Sequence, residues 1–501
     1  MKKHRLLLVT TFIISGCSLC YELIISAVSA YITGNAVLQY SVMIGLYMSA
    51  MGLGSFLSRY VRTELFTVFV TVEIGIGVLG GFSSVSIFLA NIYIANYHII
   101  MYAITIGIGI LVGMEIPLLT RIIEKSHGNL RMTLSAVFSF DYIGSLVGAL
   151  AFPLLMVPYG GYLAAAFVCG VLNSVAALLI IWKYTDHIRY SWTYKILTVG
   201  VGTVMLLGII FSGNISHYIE EGLYRDTVIY SEQTPYQKLV LTRHKDDIRL
   251  FIDGNLQFSS MDEYRYHEAL VHIPLAQIDA IQNVLVLGGG DGLATRELLK
   301  YPNVQITVVD LDERMTAMAI KHPVLRALNK DAFSNPCVTV INKDAYEFMK
   351  ENKKQYDAII IDLPDPNNEA LSKLYSNVFY RLCYAALPEK GILVTQSTSP
   401  YYAAKTFWSI NKTLASEGFV VYPYHLLVPT FGEWGFNMAT KHALHKIHPV
   451  NKVDTQFVTP DNIDSLFVFG KDEIPSEPIA INQLLHPVII DYYNEAVRQW
   501  H

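Results

Sequence analysis

Val284-Leu-Val-Leu287-Gly-Gly-Gly290-Asp-Gly292, followed by Gln305-Ile-Thr-Val-Val-Asp310-Leu-Asp312, is the stretch on which the fold turns. An uninterrupted apolar run entering glycines, then a helix-length segment, then a second β-branched run ended by Asp, reads as two buried parallel strands joined by a helix. The same rhythm continues in Val338-Thr-Val-Ile341, Ala358-Ile-Ile-Ile361 and Ile392-Leu-Val-Thr395. The expected core is therefore a mainly parallel α/β sheet.

In such a sheet ligands lie beyond the carboxyl ends of the strands, so the residues that follow each strand are the candidates for chemistry. Gly288 and Gly290 in the first loop allow backbone to approach a ligand closely, and Asp291 sits beside them. The second strand ends in Asp310-Leu-Asp312, where a carboxylate suits ribose hydroxyls. Asp344 follows the third strand and Asp362-Leu-Pro-Asp365-Pro366 the fourth. A glycine loop alone equally describes a tight strand-to-helix turn; four successive strand ends each carrying Asp do not. No Gly-Lys-Ser/Thr phosphate loop is present, which argues against a nucleoside triphosphate.

Upstream of this sheet, residues 224–262 alternate apolar and polar positions around Asp253-Gly254-Asn255, the signature of a small β-hairpin region. Further upstream the character changes. The chain is 52% hydrophobic and 16% charged, and its long uncharged stretches all fall before Gly213. Three segments are expected: a transmembrane helical domain over 1–213, a linker with the β-region over 214–275, and the catalytic α/β domain over 276–501. Seven stretches, about 6–32, 38–58, 65–93, 98–120, 135–157, 161–182 and 195–213, reach the roughly 20 apolar residues that a bilayer core requires. Eight spans are the alternative, because the third stretch is long.

Ile14-Ser-Gly-Cys17 has the look of a lipoprotein cleavage box, but apolar character continues to Ile32, as in a retained helix. The location expected is the inner cell membrane, multi-pass. Lys and Arg cluster in alternate loops, at Arg59 and Arg62, at Arg121, Lys125 and Arg131, and at Lys183, Arg189 and Lys195. The positive-inside rule places the N-terminus in the cytoplasm and, with an odd helix count, the C-terminal domain outside. An eighth span or a re-entrant segment would reverse that side, which stays open. Glu22, Glu73, Glu115 and Asp141 fall within spans, either as a site for a cationic metabolite or as hydrogen-bonded carboxyls holding helices together. The net charge of −5 offers no polybasic surface for nucleic acid, and the five cysteines form no zinc-ligand spacing.

Ser231-Glu-Gln-Thr-Pro-Tyr-Gln237, Leu250-Phe-Ile-Asp-Gly-Asn-Leu-Gln257-Phe-Ser259, Asp262-Glu-Tyr-Arg-Tyr266-His267-Glu268, Gly288-Gly-Gly-Asp-Gly292, Asp310-Leu-Asp312 and Asp362-Leu-Pro-Asp365-Pro together resemble the ordered motifs of spermidine and spermine synthases, in particular the membrane-fused bacterial branch. The resemblance spans about residues 224–440. It implies a Rossmann-like, methyltransferase-like fold and transfer of an aminopropyl group from decarboxylated S-adenosylmethionine to putrescine or a related amine, giving spermidine and methylthioadenosine. No prosthetic group or metal is implied. The partners implied are the polyamine substrate, the lipid bilayer and a second copy of the chain.

By the same matching, Asp362 is the proton acceptor, Asp365 fixes the far ammonium of the acceptor, and Tyr266 orients the attacking nitrogen. Gln237 and His267 are implied at the donor's aminopropyl arm, Asp291 at its ammonium, Asp310 at the ribose, and Asp344 with Ala345 at the adenine. Gln257, Asp365, Phe431 and Glu433 are implied on the acceptor side. Soluble relatives have tyrosine in a Pro-Thr-Tyr segment where this chain reads Pro429-Thr-Phe431-Gly-Glu433-Trp434, which leaves cadaverine, agmatine or a longer polyamine as alternative acceptors. Two other functions compete: methyl transfer from S-adenosylmethionine itself, and a polyamine transporter or sensor that only binds ligand.

Overall fold

A computed structural model describes residues 5–33, 36–127 and 130–500 and resolves them into two compact units, Met1–Pro235 and Tyr236–His501. The division falls later than the expected boundary at residue 213. The reason is the helix Ser212–Tyr224, which the change in composition assigns to the linker but which packs on the helices before it, with Ile219 and Glu220 buried.

Among the described residues the first unit is a bundle of nine α-helices: α1 (Arg5–Thr33), α2 (Ala36–Leu57), α3 (Leu65–Gly81), α4 (Ser83–Tyr93), α5 (Tyr97–His127), α6 (Leu130–Ala151), α7 (Val157–Lys183), α8 (Ser191–Ile210) and α9 (Ser212–Tyr224). α1 runs unbroken through Cys17. The stretch read as one span over 65–93 is two helices bent by 43° at Phe82. The stretches at 135–157 and 161–182 form one nearly continuous helical path, Arg131–Lys183, interrupted at Gly161, where φ is 69°. Among the described residues five helices, or six counting the bent pair, are by length and composition long and apolar enough to cross a membrane. Close packing uses small residues: a Cβ on Gly54 would stand 1.9 Å from the Ile110 carbonyl oxygen, and one on Gly113 2.0 Å from that of Met51. The acidic residues bridge helices. Ser15 donates to Asp141 at 2.5 Å, Ser18 to Glu115 at 3.3 Å and Asn173 to Glu73 at 3.4 Å. The unit ends on strand β1 (Thr227–Gln233).

The second unit opens with β2 (Lys238–His244), β3 (Asp247–Ile252) and β4 (Asn255–Ser259), an antiparallel meander. The β3–β4 turn is the expected one: Asp253 and Gly254 both have positive φ, 48° and 80°, as a two-residue turn matching strand twist requires. After α10 (Glu263–Leu275) come β5 (Asn283–Gly288), α11 (Leu293–Leu298), β6 (Gln305–Asp310), α12 (Glu313–Lys321), α13 (Pro323–Asn329), β7 (Val338–Asn342), α14 (Ala345–Glu351), β8 (Ala358–Asp362), α15 (Glu369–Ser372), α16 (Asn377–Ala386), β9 (Ile392–Gln396), α17 (Ala404–Ser416), β10 (Val420–Val428), β11 (Gly432–Thr440) and α18 (Val488–Trp500).

The seven strands order as β10-β11-β9-β8-β5-β6-β7, parallel from β5 to β9 with an antiparallel pair at one edge. All five predicted strands are present. Their residues alternate between two buried layers: Val284 and Val286 face one core, Leu285 and Leu287 the other. Burial on both faces is why these strands read as unbroken apolar runs. From β5 the chain steps outward to β6 and β7, then returns to β8 on the other side of β5. The order therefore reverses between β5 and β8, the position at which open α/β sheets bind ligands.

Candidate active site

At that reversal Gly288 and Asp362 are register partners at the carboxyl ends of β5 and β8. A Cβ on Gly288 would lie 2.0 Å from the Asp362 carbonyl oxygen, and its φ is +85°, so only glycine fits. Gly290 fills the same need against the next strand, where a Cβ would lie 2.5 Å from an Asp310 carboxylate oxygen. The glycine loop is thus clamped between two of the predicted acids.

Asp362 accepts a hydrogen bond from the Tyr266 hydroxyl at 2.6 Å. Burial raises the Asp362 carboxyl above its ordinary range, with His267 and the Tyr266 bond opposing. Tyr266 comes from α10, where it packs on Phe436 with ring centroids 5.2 Å apart. Burial, together with the Asp362 charge, holds its hydroxyl protonated, so it remains a donor. Asp291 bonds the Leu293 amide at 2.9 Å and is pushed up to about 6 by burial. Asp310 accepts from the Asp312 amide at 2.9 Å and burial pushes it up to about 7. Carboxyls held this high are poorly solvated and gain by meeting a cation.

His267 carries a constraint that sequence did not disclose. Its Nδ1 bonds Glu263 at 2.7 Å, and Glu263 is gripped by Arg296 at 2.8 and 3.0 Å. Burial would lower the imidazole, but the Glu263 bond and charge outweigh it and push His267 up to about 9. Burial would likewise raise Glu263, which His267 and Arg296 instead pull down to about 2. His267 is therefore a pinned cation beside Asp291 and Asp362, and any contact with a ligand falls to Nε2.

The remaining donor-side residues divide. Gln237 donates to Asp312 at 3.0 Å, and Asp312 caps α12. Asp344 caps α14 through the Tyr346 amide at 2.8 Å and binds Lys373 at 2.6 Å, and Ala345 is buried behind it. Both acids combine a structural bond with a place at a strand end.

On the acceptor side Asp365 sits in a cradle. Gln396 at the end of β9 donates to it at 3.3 Å and Thr398 at 3.4 Å. Burial pushes Asp365 up to about 6 even so. Thr398 holds a left-handed conformation, φ +58°, and its backbone amide donates to the side-chain Oε1 of Gln396 at 3.0 Å. Phe431 stacks on Trp434 at 5.0 Å, on the β11 face that also carries Phe436 toward Tyr266. Glu433 does not share that face. Strand side chains alternate, so Glu433 joins Gly435 on the α17 side, where it is hydrogen-bonded to His425. Gln257 remains in its hairpin, bonded to the Asn255 carbonyl at 3.2 Å.

A group of carboxyls at the switch point of a mainly parallel sheet, one of them bonded to a tyrosine, is suited to cationic ligands. The Spermine/spermidine synthase domain matches residues 263–449. The chain is 41% identical to "Polyamine aminopropyltransferase 2" of Ralstonia nicotianae, covering 99% of this chain and 98% of that one. It is 40% identical to "Polyamine aminopropyltransferase" of Leptospira interrogans over the same shares. A solved spermidine synthase in complex with the transition-state analogue AdoDATO covers 54% of this chain and 88% of its own, at 24% identity and a TM-score of 0.42. The chain belongs to the polyamine aminopropyltransferase family, the spermidine and spermine synthases.

Proposed function

We propose that Asp310 and Asp291 hold decarboxylated S-adenosylmethionine, that Asp365 holds the far ammonium of a putrescine-type diamine, and that Asp362 takes the proton of the attacking amine. The observation that carries this reading is the half-buried Asp362 carboxyl that accepts from Tyr266 at the end of β8, against the glycine loop. An alkylammonium with a pKa near 10 has no lone pair to attack with, so a positioned base is required. Burial makes Asp362 a stronger base than a solvated carboxylate. Once deprotonated, the amine nitrogen attacks the aminopropyl carbon next to the sulfonium. The C–N bond forms, the C–S bond breaks, sulfur keeps the electron pair as neutral methylthioadenosine, and Asp362 holds the proton. The sulfonium loses its charge in this step, which also lowers its attraction to the acidic pocket and favours release.

The test is to incubate full-length protein with decarboxylated or ordinary S-adenosylmethionine against putrescine, cadaverine, agmatine and spermidine. Methylthioadenosine is expected only with the decarboxylated donor plus an amine. Methylated product from the ordinary donor would overturn the assignment.

The first unit we read as a multi-pass anchor in the inner membrane. Its exterior bears exposed apolar side chains such as Leu150, Leu154, Leu155, Trp182, Ile196 and Leu206, a surface suited to lipid rather than water. The path Arg131–Lys183, 53 residues, is more than twice as long as a bilayer core of about 30 Å at about 1.5 Å per residue. Taken as two spans broken at Gly161, and with α3–α4 as one bent span, it gives seven. Protein that stays with membranes after alkaline carbonate washing and dissolves only in detergent is the expected result.

A further inference from the structure

We infer that His425, Glu433 and Glu473 form a site for one divalent transition-metal ion, zinc by the chemistry of the donors, which ties the edge hairpin β10–β11 to the segment that carries Glu473. The site is separate from the carboxyls assigned above to the reaction, and the ion's role there is to hold structure.

Three pieces of chain converge on it. The β10–β11 register sets His425 opposite Gly435 and Leu427 opposite Glu433, so His425 and Glu433 stand diagonally on one face of the pair. Glu473 comes from a tight turn and is held on two sides: its carbonyl accepts from the Trp408 indole at 2.6 Å, and its Oε2 accepts from the Gly470 amide. That leaves Glu473 Oε1 to face His425 Nδ1, 3.6 Å away. One donor atom from each of the three residues lies within 4.8 Å of the others.

The imidazole is oriented as a ligand. Its Nε2 is bonded to the Val468 carbonyl at 2.7 Å; a carbonyl only accepts, so Nε2 carries the hydrogen and Nδ1 turns its lone pair toward the two carboxylates. Metal-binding histidines are held in this way, with the outer nitrogen on a backbone carbonyl. Nδ1 and two carboxylate oxygens are three acceptors facing one another, so a positive charge belongs between them. A proton joins Nδ1 to Glu433 alone, since 3.6 Å is too long for a hydrogen bond to Glu473. A metal ion satisfies all three, and 3.6 Å is close to the roughly 3.4 Å between ligands of a tetrahedral zinc site. The Glu433 side chain, 28% exposed, is the one able to swing and admit the ion, whereas those of His425 and Glu473 are 12% and 11% exposed. Phe469 covers the imidazole with ring centroids 4.4 Å apart and keeps water from that side. One imidazole and two carboxylates suit zinc, with the fourth position left for water.

The test is calorimetric titration of zinc into full-length, tag-free protein in detergent after EDTA treatment. One ion per chain is expected, with a melting temperature that climbs as zinc is added, because the ion binds only the folded chain. Glu433→Gln and Glu473→Gln keep side-chain size and remove the charge. Each should weaken zinc binding at least about ten-fold, since even changes behind the ligands cost that much, and should flatten the melting response. Cobalt offered to the wild type should give the visible absorption of a four-coordinate ion, a readout that stands even where a variant fails to fold. Magnesium at the same concentration should leave the melting temperature unchanged. Absence of a zinc response and of a cobalt spectrum in the wild type overturns the inference and leaves the three residues as an ion pair with a bystander. Zinc bound equally by both variants, or a magnesium response equal to that of zinc, overturns it as well.

Discussion

The two halves of the pocket proposed above are built in opposite ways. The half proposed for the donor is local: Gly288, Gly290, Asp291 and Asp310 come from two adjacent strand ends, and the glycines are required because backbone and carboxylate stand where a Cβ would be. The half proposed for the acceptor is assembled from distant segments, with Asp365 after β8, Gln396 at the end of β9, Thr398 just beyond it and Phe431 before β11. A site fixed by short-range geometry tolerates little change, whereas one assembled from separate elements changes its chemistry by altering one contact. The donor, common to the family, belongs to the first kind and the choice of amine to the second.

The sharpest test of this division acts at its seam. Asp362→Asn keeps the shape and the Tyr266 contact but cannot accept the amine's proton. Transfer is expected to fall about 10²- to 10⁴-fold, with methylthioadenosine binding changed by no more than a few-fold. Retention of more than half the wild-type rate at saturating amine would remove Asp362 from the role.

Next in size is the ion network behind the donor half. Arg296 is, with His267, one of two cations that keep Glu263 ionised in a buried setting, and its side chain and that of Glu263 are at most a tenth exposed. Arg296→Leu leaves Glu263 with His267 alone, so a loss of about 3 kcal/mol in unfolding free energy is expected, measured by denaturant titration of the full-length protein in detergent. Lysine at the same position should recover part of it. A stability change below about 1 kcal/mol would mean the network is solvated after all.

pH separates the halves in a different manner. Asp365 and Asp291 ionise at about 6 and Asp310 at about 7, all raised by burial. As pH falls through that window each gains a proton and loses its attraction for a cation, so the KM for both substrates should rise below about pH 6. Above it the carboxylates are charged and further gain comes only from the amine's own deprotonation, so kcat/KM should keep rising toward alkaline pH. A flat profile between pH 5.5 and 8 would contradict the placement of these acids in the pocket.

The same contrast explains what the sequence discloses. The five parallel strands are legible because burial on both faces leaves them apolar throughout, and Asp253-Gly254 is legible because few residues accept positive φ. β10 and β11 are not: Pro423 and a polar-aromatic mixture break the pattern, and Pro423 is tolerated because β10 is an edge strand whose missing N–H costs no ladder bond. Asp362, Asp365, Asp291 and Asp310 announce themselves by strand-end position. Arg296 meets Glu263, and Thr398 meets Asp365, across 33 residues each, which no local pattern reveals. Glu433 is adjacent in sequence to the Phe431 segment, yet strand alternation pairs it with His425.

The smallest expected effect bears on the acceptor half most directly. Phe431 packs against Trp434, whose indole Nε1 is buried without a partner, on the face that leads through Phe436 to Tyr266. A hydroxyl added there has two possible uses: a hydrogen bond to an acceptor amine, or capture of the Trp434 N–H. Either contributes about 0.5 to 1.5 kcal/mol, but only the first depends on which amine is bound. Phe431→Tyr should therefore change the ranking among putrescine, cadaverine and agmatine by roughly two- to twelve-fold in kcat/KM, with donor KM unchanged. A gain in melting temperature with identical ratios for every amine would place the hydroxyl on Trp434 and Phe431 outside the pocket. Amine selectivity would then rest on Asp365 and the Gln396 and Thr398 side chains that hold it.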